Sequence, residues 1–585
     1  MRKSKTPPTL PIELAIPSAC LTDLKAETDL LTLVTAAIVD ACADVLADLG
    51  IPGKPAVTIQ ALEAFRTPYL ARVRVNGHTM RCPAELLARV QSAVFGTPLN
   101  TAAPLHLLAA WLDAAAAGQS AAFLTEHRRP IIDFLSLLCR EMVTRKPSVL
   151  LDAPQVKAYR ATLPQPVAEI AVSAWPPTIT QLYTMLRHVL DLGVSISDRQ
   201  TVANVIGQGI AAGRAPDDVA EDLIAALRPD VVEILIRRDD LRALTLANTN
   251  EDRDTFTLVR DGLFYDLGLT FPDFRFVPTD WLKPGSFAVR INHVTTLPFV
   301  GLEPDQRLVN ARSDTLQSRN IPALPCVNPV NWGATSITSA GDLNNAADLW
   351  VWDPIEVIAL VLSGVLREHS ACFVDTQIVA QQLSTLEPIT PALTKAISAR
   401  ITEEQLAQIE RSLVAEGISV RDLTHILESL LDFDFIVADS YTRLVFDERI
   451  AFPEMPSAAT LTAPENLTRF VRMGSKRYIS HRATSEQYAA SLSVYLLDQE
   501  LATSLTEVLR QGEVPITVRE HILDALEEEF HLEPLPSPPP ALLVGQNLRA
   551  LLHAITATEF PRLRVWAFEE LTPEIQILPV GTIAL

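Results

Sequence analysis

Four short phrases recur in the same order along this chain, and a chain that repeats itself should fold each copy into a similar unit. DLGI at 48–51 is matched by DLGL at 266–269, and VRVN at 73–76 by VRIN at 289–292. SAAFL at 120–124 is matched by SACFV at 370–374, and GVSISD at 193–198 by GISVRD at 417–422. The offsets are 218, 216, 250 and 224, so the second copy should carry about 34 extra residues after its VRIN strand. The expectation is a diverged internal duplication.

Local patterns agree between the copies. Residues 29–49 place Leu30, Leu33, Val34, Ala37, Ile38, Ala41 and Val45 at helical spacing, and Gly50 and Pro52 stop that helix. AVTIQALE (56–63) and YLARVRVNG (69–77) alternate as strands do and end in the turn pair Asn76–Gly77. Later a helix ends in YDLGL (265–269), followed by strands around FRFVP (274–278) and SFAVRINHV (286–294). In TEEQLAQIERSLVAEG (402–417), Thr402 and Gln405 have capping-box spacing and Gly417 suits a left-handed helix end. Ser419 or Asp422 caps the next helix, whose core stripe is Leu423, Ile426, Leu427 and Leu430.

A length of 585 residues predicts about three to five domains. The net charge of −21 repels phosphate backbones. MRKSK at the start is too short for a basic patch, and Arg237–Arg238 runs straight into Asp239–Asp240, so no nucleic-acid partner is expected. Cysteines at 20, 42, 82, 139, 326 and 372 form no CxxC pair, which argues against a zinc site and for a reducing cytoplasm. The apolar stretch 30–49 carries Asp40, Asp44 and Asp48, and 105–124 carries Asp113 and Gln119. Prolines at 7, 8, 11 and 17 break any signal-peptide core. The expectation is a cytoplasmic chain with no transmembrane region and no direct membrane insertion.

No nucleophile elbow, Walker loop, zincin motif or dinucleotide fingerprint appears, so no catalytic, cofactor or metal site and no enzyme is expected. GQGIAAG (207–213) follows a helix and is a poor phosphate cradle. Glu126–His127 and Glu368–His369 read as surface pairs near helix ends, and Glu527–Glu529 as a solvated helix face.

From about 489 the pattern alternates strand and helix. SLSVYLL (491–497), ALLVG (541–545), RLRVWAF (562–568) and IQILPVGTI (575–583) read as strands. LATSLTEVL, VREHILDALEEEF and NLRALLHAITATEF read as helices, with LPSPPP (535–540) a rigid connector. The fold class is therefore α+β multidomain, with mixed α/β subdomains joined by a helical subdomain in a duplicated architecture. The divisions are a tail at 1–28, a degenerate N-terminal copy at 29–245, and a first α/β subdomain at 255–300 and 351–388. A small inserted subdomain spans 301–350, a helical one 389–488 and a C-terminal α/β one 489–585.

These residues carry a resemblance. Leu542–Val544, Leu548–Arg549, Pro561–Leu563, Val565, Glu569–Glu570 and Val580–Ile583 resemble the closing motifs of the type III secretion export-gate family, the FlhA and SctV groups. Gly417, Ser419, Arg421, Asp422, Leu423, Ile426, Leu427 and Glu428 match its "E-G-V-S-I-R-D-L-x-x-I-L-E-x-L". DLGLTFPDFRF, SFAVRIN and WDPIEVIALVLSGVLREHSACFV resemble its first cytoplasmic subdomain.

The resemblance covers 255–585 and implies the cytoplasmic domain of an export gate, with the weaker copy standing where relatives carry membrane spans. It implies binding of export-apparatus proteins, chaperones and cargo as scaffold or receptor, assembly as a homo-oligomeric ring, and a place peripheral to a membrane-embedded apparatus. Its docking groove lies between the first and second subdomains. The family's "D-P-x-F-G" there reads Asn328, Pro329, Val330, Asn331, Trp332, Gly333, and its "A-T-H-L" reads Ala359–Leu362. The candidate protein-binding residues are Asn328, Pro329, Asn331, Trp332, Trp350 and Leu360. Trp332, Trp350 and Trp352 form either a small core or an aromatic docking surface. The competing reading is a self-assembling structural or regulatory protein that no longer acts in secretion.

Overall fold

A computed structural model of the chain describes residues 7–63, 69–99, 106–167, 175–229, 231–247, 255–328, 330–331, 333–343, 348–432, 463–487, 491–511, 514–530 and 541–584. The first sheet joins β1 (Thr9–Pro17), β2 (Lys54–Leu62), β3 (Arg72–Val75) and β4 (His78–Arg81) in the order β2-β1-β3-β4. Helices α1 (Ser18–Ala26) and α2 (Thr28–Leu49) connect β1 to β2, which run parallel. The chain continues through α3 (Ala84–Phe95), α4 (Leu107–Ala116), α5 (Ser120–Arg145) and α6 (Ala153–Thr162). Three packed helices follow: α7 (Ile179–Asp191), α8 (Arg199–Ala211) and α9 (Pro216–Leu227).

The second sheet repeats the first. β5 (Val232–Ile236), α10 (Arg238–Ala247), α11 (Thr255–Leu267), β6 (Phe274–Pro278), β7 (Ser286–Ile291) and β8 (Val294–Thr295) follow in that order. The strand order is β6-β5-β7-β8, with β5 parallel to β6 and antiparallel to β7; β9 (Phe299–Val300) also pairs with β7. An inserted unit then carries β10 (Gln306–Val309), α12 (Ser313–Ser318), β11 (Leu324–Val327), β12 (Ala334–Ser339) and β13 (Val351–Trp352), in the sheet order β11-β12-β10-β13.

Helices α13 (Pro354–Glu368), α14 (Thr376–Leu386), α15 (Pro391–Ser398), α16 (Glu403–Ala415) and α17 (Leu423–Leu431) lead to α18 (Pro464–Gly474) and α19 (Lys476–Glu486). The last unit is β14 (Ser491–Leu497), α20 (Gln499–Gln511), α21 (Ile516–Phe530), β15 (Ala541–Val544), α22 (Gln546–Thr556), β16 (Arg564–Ala567) and β17 (Gln576–Ile583). Its sheet order is β16-β15-β14-β17, and β14 runs parallel to β15 across two helices, as β1 does to β2 and β5 to β6.

The helix caps expected from sequence are formed. The Thr402 hydroxyl accepts from the Gln405 N–H at 3.2 Å and the Gln405 side chain accepts from the Thr402 N–H at 3.1 Å. Thr178 and Gln181 make the same box on α7. Asp422, rather than Ser419, caps α17 by accepting from His425 N–H, as Asp198 does for α8 from Thr201 N–H. The phrases DLGI and DLGL do identical work. Gly50 and Gly268 end α2 and α11 at φ 72° and 78°, and a Cβ there would lie 2.5 Å from Ser197 N and 2.2 Å from Arg421 N. Beside them the Leu49 carbonyl accepts from Ile196 N–H at 2.9 Å, and the Leu267 carbonyl from Val420 N–H at 2.8 Å.

Several expectations need correction. Residues 9–26 are not a tail: Leu10, Ile12, Leu14 and Ile16 are buried on a central strand. Likewise β5, assigned by sequence to 29–245, is the central strand of the second sheet, because VEILI pairs on both sides. SAAFL opens helix α5, whereas SACFV is a 3₁₀ turn at 370–373; the turn's counterpart is 147–150, an offset of 223. Measured at these turns, the later stretch is longer by about seven residues, not 34, since helices α3 and α4 lie where the later stretch has the inserted sheet. Glu527 is no solvated face but buried against Arg81. LPSPPP lies outside the described residues.

By length and composition α2 could cross a membrane. Its stripe Leu30, Val34, Ile38, Cys42, Val45 and Leu49 is buried in the main core with Leu135, Leu138 and Cys139 of α5, as in a core helix.

Candidate docking cleft

The inserted sheet and α13 border a shallow cleft with a cavity volume of about 50 Å³, open to solvent. Its walls are Leu308, Cys326, Val327 and Ile337 from the sheet, Val357 and Val361 from α13, and Pro298–Val300 with Leu302 from around β9. Asp353 and Pro354 start α13 with a full capping box to Glu356, which fixes the helix that floors the cleft. The lining is mostly apolar. Burial pushes the Cys326 thiol up to about 11 despite a hydroxyl contact from Thr335 at 3.2 Å, so it is a neutral lining group. Among the described residues no group of three His, Cys, Asp or Glu side chains is placed to hold a metal ion. This arrangement suits binding of apolar side chains.

The predicted binding residues are partly brought together. Asn328 is buried and organises the β11–β12 turn: its Oδ1 accepts from Val330 N–H at 2.9 Å, and its own N–H donates to the Gly333 carbonyl at 2.8 Å. Asn331 is exposed and its Oδ1 accepts from Gly333 N–H. Val330 of this turn sits over Gly364, one turn beyond Leu360 on α13. Leu360 is half-buried against the Leu302–Leu308–Cys326–Ile337–Val357 cluster. Trp350 is 75% exposed next to β13, the opposite edge of the sheet from β11, whereas Trp352 packs in that cluster. Pro329 and Trp332 lie outside the described residues.

Sequence reading missed the far wall, which comes from the N-terminal third of the chain. Arg89 and Ser92 on α3, with Pro98 and Leu99 beyond it, line the cleft. The Arg89 guanidinium stands 5.0 Å over the Phe299 ring and 3.9 Å from Glu368. Val327 N–H donates to the Leu99 carbonyl at 2.8 Å. No local signal marks Pro98 or Leu99, because their role depends on a partner more than 200 residues away.

The family model described as "FHIPEP family" matches residues 253–576, more than half of the chain. The chain belongs to the FHIPEP family. The resemblance to type III secretion export-gate proteins therefore holds. The FHIPEP match takes in the inserted sheet and α13, while α3 and residues 97–99 lie outside it. The Low calcium response locus protein D of Yersinia pestis is 24% identical over 413 residues, 68% of this chain and 53% of that protein. The flagellar biosynthesis protein FlhA of Bacillus subtilis is 21% identical over 58% of this chain and 48% of that protein. The chain spans about half the length of these curated relatives. Among solved structures, the CdsV protein of Chlamydia pneumoniae superposes with a TM-score of 0.50 at 26% identity, covering 60% of this chain and 98% of that one.

Proposed function

We propose that this chain is an export-gate-related docking component of a type III secretion system, flagellar or injectisome, which binds export-apparatus proteins, chaperones or cargo. The observation that carries this reading is the family match across 253–576, which contains the inserted sheet and α13 that form most of the apolar cleft. A pull-down with the whole chain from cells with an intact secretion system should recover export-apparatus, chaperone or cargo proteins; recovery of none refutes the reading.

The repeated topology and caps support a duplication, and the packing between the copies bears on assembly. The second sheet's hairpin docks on the first copy's GVSIS loop: Asn292 Nδ2 donates to the Leu192 carbonyl at 2.7 Å, and His293 N–H to the Gly193 carbonyl at 3.1 Å. Arg411 pairs both oxygens of buried Glu221 at 2.8 and 2.7 Å, and Arg228 pairs Asp375 at 2.7 Å. On the second copy the equivalent loop is covered by α19, where the Tyr478 hydroxyl accepts from Ser419 N–H and Arg482 lies against Gly417. Arg469 and Arg472 of α18 face Glu569 and Glu570 of the last unit. The joint that links the copies is thus occupied at both places within one chain, which favours a monomer over a ring. Light scattering should give one chain mass, 64.1 kDa; a ring mass returns the self-assembling reading.

A further inference from the structure

We propose that residues 96–99 of the N-terminal copy form a tethered strap that fills the edge of the docking cleft, and that an extended apolar segment of a partner binds by displacing it. This rests on the reading of the cleft as a docking site. The argument begins with β11, an edge strand. Unpaired strand edges invite addition of another strand.

The antiparallel register with β12 pairs Leu324 with Ile337, Pro325 with Ser336, Cys326 with Thr335 and Val327 with Ala334. Since Val327 N–H points outward to Leu99, alternation turns Leu324 and Cys326 toward β12 and leaves Pro325 and Val327 on the free edge. Pro325 has no N–H to give. Val327 therefore supplies the outward donor of β11, and the Leu99 carbonyl takes it. Edge proline and strap together close this edge.

The strap is tied to the end of α3 at its start, where the Ser92 hydroxyl donates to the Thr97 carbonyl and the Ser92 carbonyl accepts from Gly96 N–H at 2.8 Å. Gly96 ends α3 at φ 66°, and nothing lies within 4 Å of where its Cβ would be. Pro98 and Leu99 reach the cleft lining, and Lys283 Nζ donates to the Val94 carbonyl at the end of α3. The cleft beside these two side chains is open to solvent. Leu324 at the start of β11 is 66% exposed, so apolar surface continues along the edge past the strap. The partner this surface fits is an extended segment with a backbone carbonyl for Val327 N–H and apolar side chains on alternate positions. The strap already presents that chemistry, at the high effective concentration that a tether confers.

The test uses the full chain and the strap's own sequence. A fluorescent peptide AVFGTPL, residues 93–99, is titrated to millimolar concentration against the wild type and against the double variant Pro98→Gly, Leu99→Ser. The variant should bind at least tenfold tighter than the wild type. Hydrogen exchange at the Val327 amide should be at least tenfold faster in the variant and slow again with peptide, while β12 amides stay protected in both. Equal peptide binding, or an unchanged Val327 amide in a variant whose β12 stays protected, overturns the strap. The single variant Lys283→Met, which leaves strap and cleft residues intact, should shift both readouts the same way by less; no shift in either counts against the anchor. A failed pull-down would refute the secretion role without touching these results.

Discussion

Replacing Arg81 with methionine removes the keystone of the seam between the N-terminal sheet and the C-terminal unit. The Arg81 side chain is 2% exposed on β4 and meets four carboxylates: Glu527, Asp524 at 2.6 Å, Glu520 at 3.2 Å and Glu559 at 3.4 Å. Two of the four decide the magnitude. Asp524 is 56% exposed and Glu520 28%, so water screens them and their pairing contributes little. Glu527 is 4% and Glu559 1% exposed, and after the substitution they keep only Arg72 at 3.5 Å and Arg519 at 3.1 Å. Removing one partner of a buried ion pair costs about 3–5 kcal/mol, mostly through the charge left behind. Methionine is a long apolar side chain of comparable reach, so the loss reads the charge rather than a void. Urea unfolding followed by tryptophan fluorescence should lose about 3 kcal/mol, with the N-terminal sheet released in a separate earlier transition. Adding Glu527→Gln should recover at least about 1.5 kcal/mol, since neighbouring sites couple. A loss under about 1 kcal/mol with a single unchanged transition would refute the keystone argument.

Burial pushes the Glu559 carboxyl up to about 7, with Arg519 and Arg81 opposing. A raised carboxyl favours folding fully below its unfolded value and loses that contribution as pH rises through 7, so Glu559→Gln should gain about 1 kcal/mol more on the wild type at pH 8 than at pH 6 by paired urea titrations. Glu416 is pushed up by burial but held at about 2 by Arg472, His553 and Arg549, so its contribution is present above the ordinary carboxylate range and lost as pH falls toward 2; in acid unfolding, Glu416→Gln should flatten that loss. Gly268→Ala, with Arg421 N 2.2 Å from the new Cβ, should cost more than 2 kcal/mol in thermal unfolding, whereas Gly96→Ala, with open space, should cost about 1 kcal/mol. Arg472→Met should destabilise by about 3–5 kcal/mol in urea, because Glu570, paired at 2.6 and 2.8 Å, is buried and Glu416 is only 11% exposed beside it.

Local chemistry was legible where a few consecutive residues decide the conformation. The Thr402–Gln405 box and the Gly417 turn could be read because their partners lie within four residues. Family membership was legible for a related reason: the motif order survives over 300 residues though each motif is weak. Central strands were harder. β1 carries Pro11 and Pro17 amid short alternation, and β5 is five residues long beside a charged Arg237–Asp240 run; only their parallel partners, β2 and β6, identify them. The SAAFL–SACFV match failed because small residues suit a helix start and a 3₁₀ turn alike. Glu527 looked solvated because a run of three acids says nothing about an arginine 446 residues away.

Three times the chain builds two helices between parallel strands, and twice it follows such a unit with a bundle of short helices. A repeat whose end faces stay complementary continues into a filament or closes into a ring. Here the second unit caps the first bundle, the last unit caps the second bundle through Arg472 and Glu570, and the first unit returns to the last through Arg81 and Glu559. The contacts close inside one polypeptide. With the circle closed, the faces left for partners are those that the repeats do not share. Among them is the inserted sheet, where the first unit has helices instead and, among the described residues, lines the cleft with Arg89, Ser92, Pro98 and Leu99. The docking proposed above therefore falls on the element that breaks the repeat, with residues 96–99 beside it.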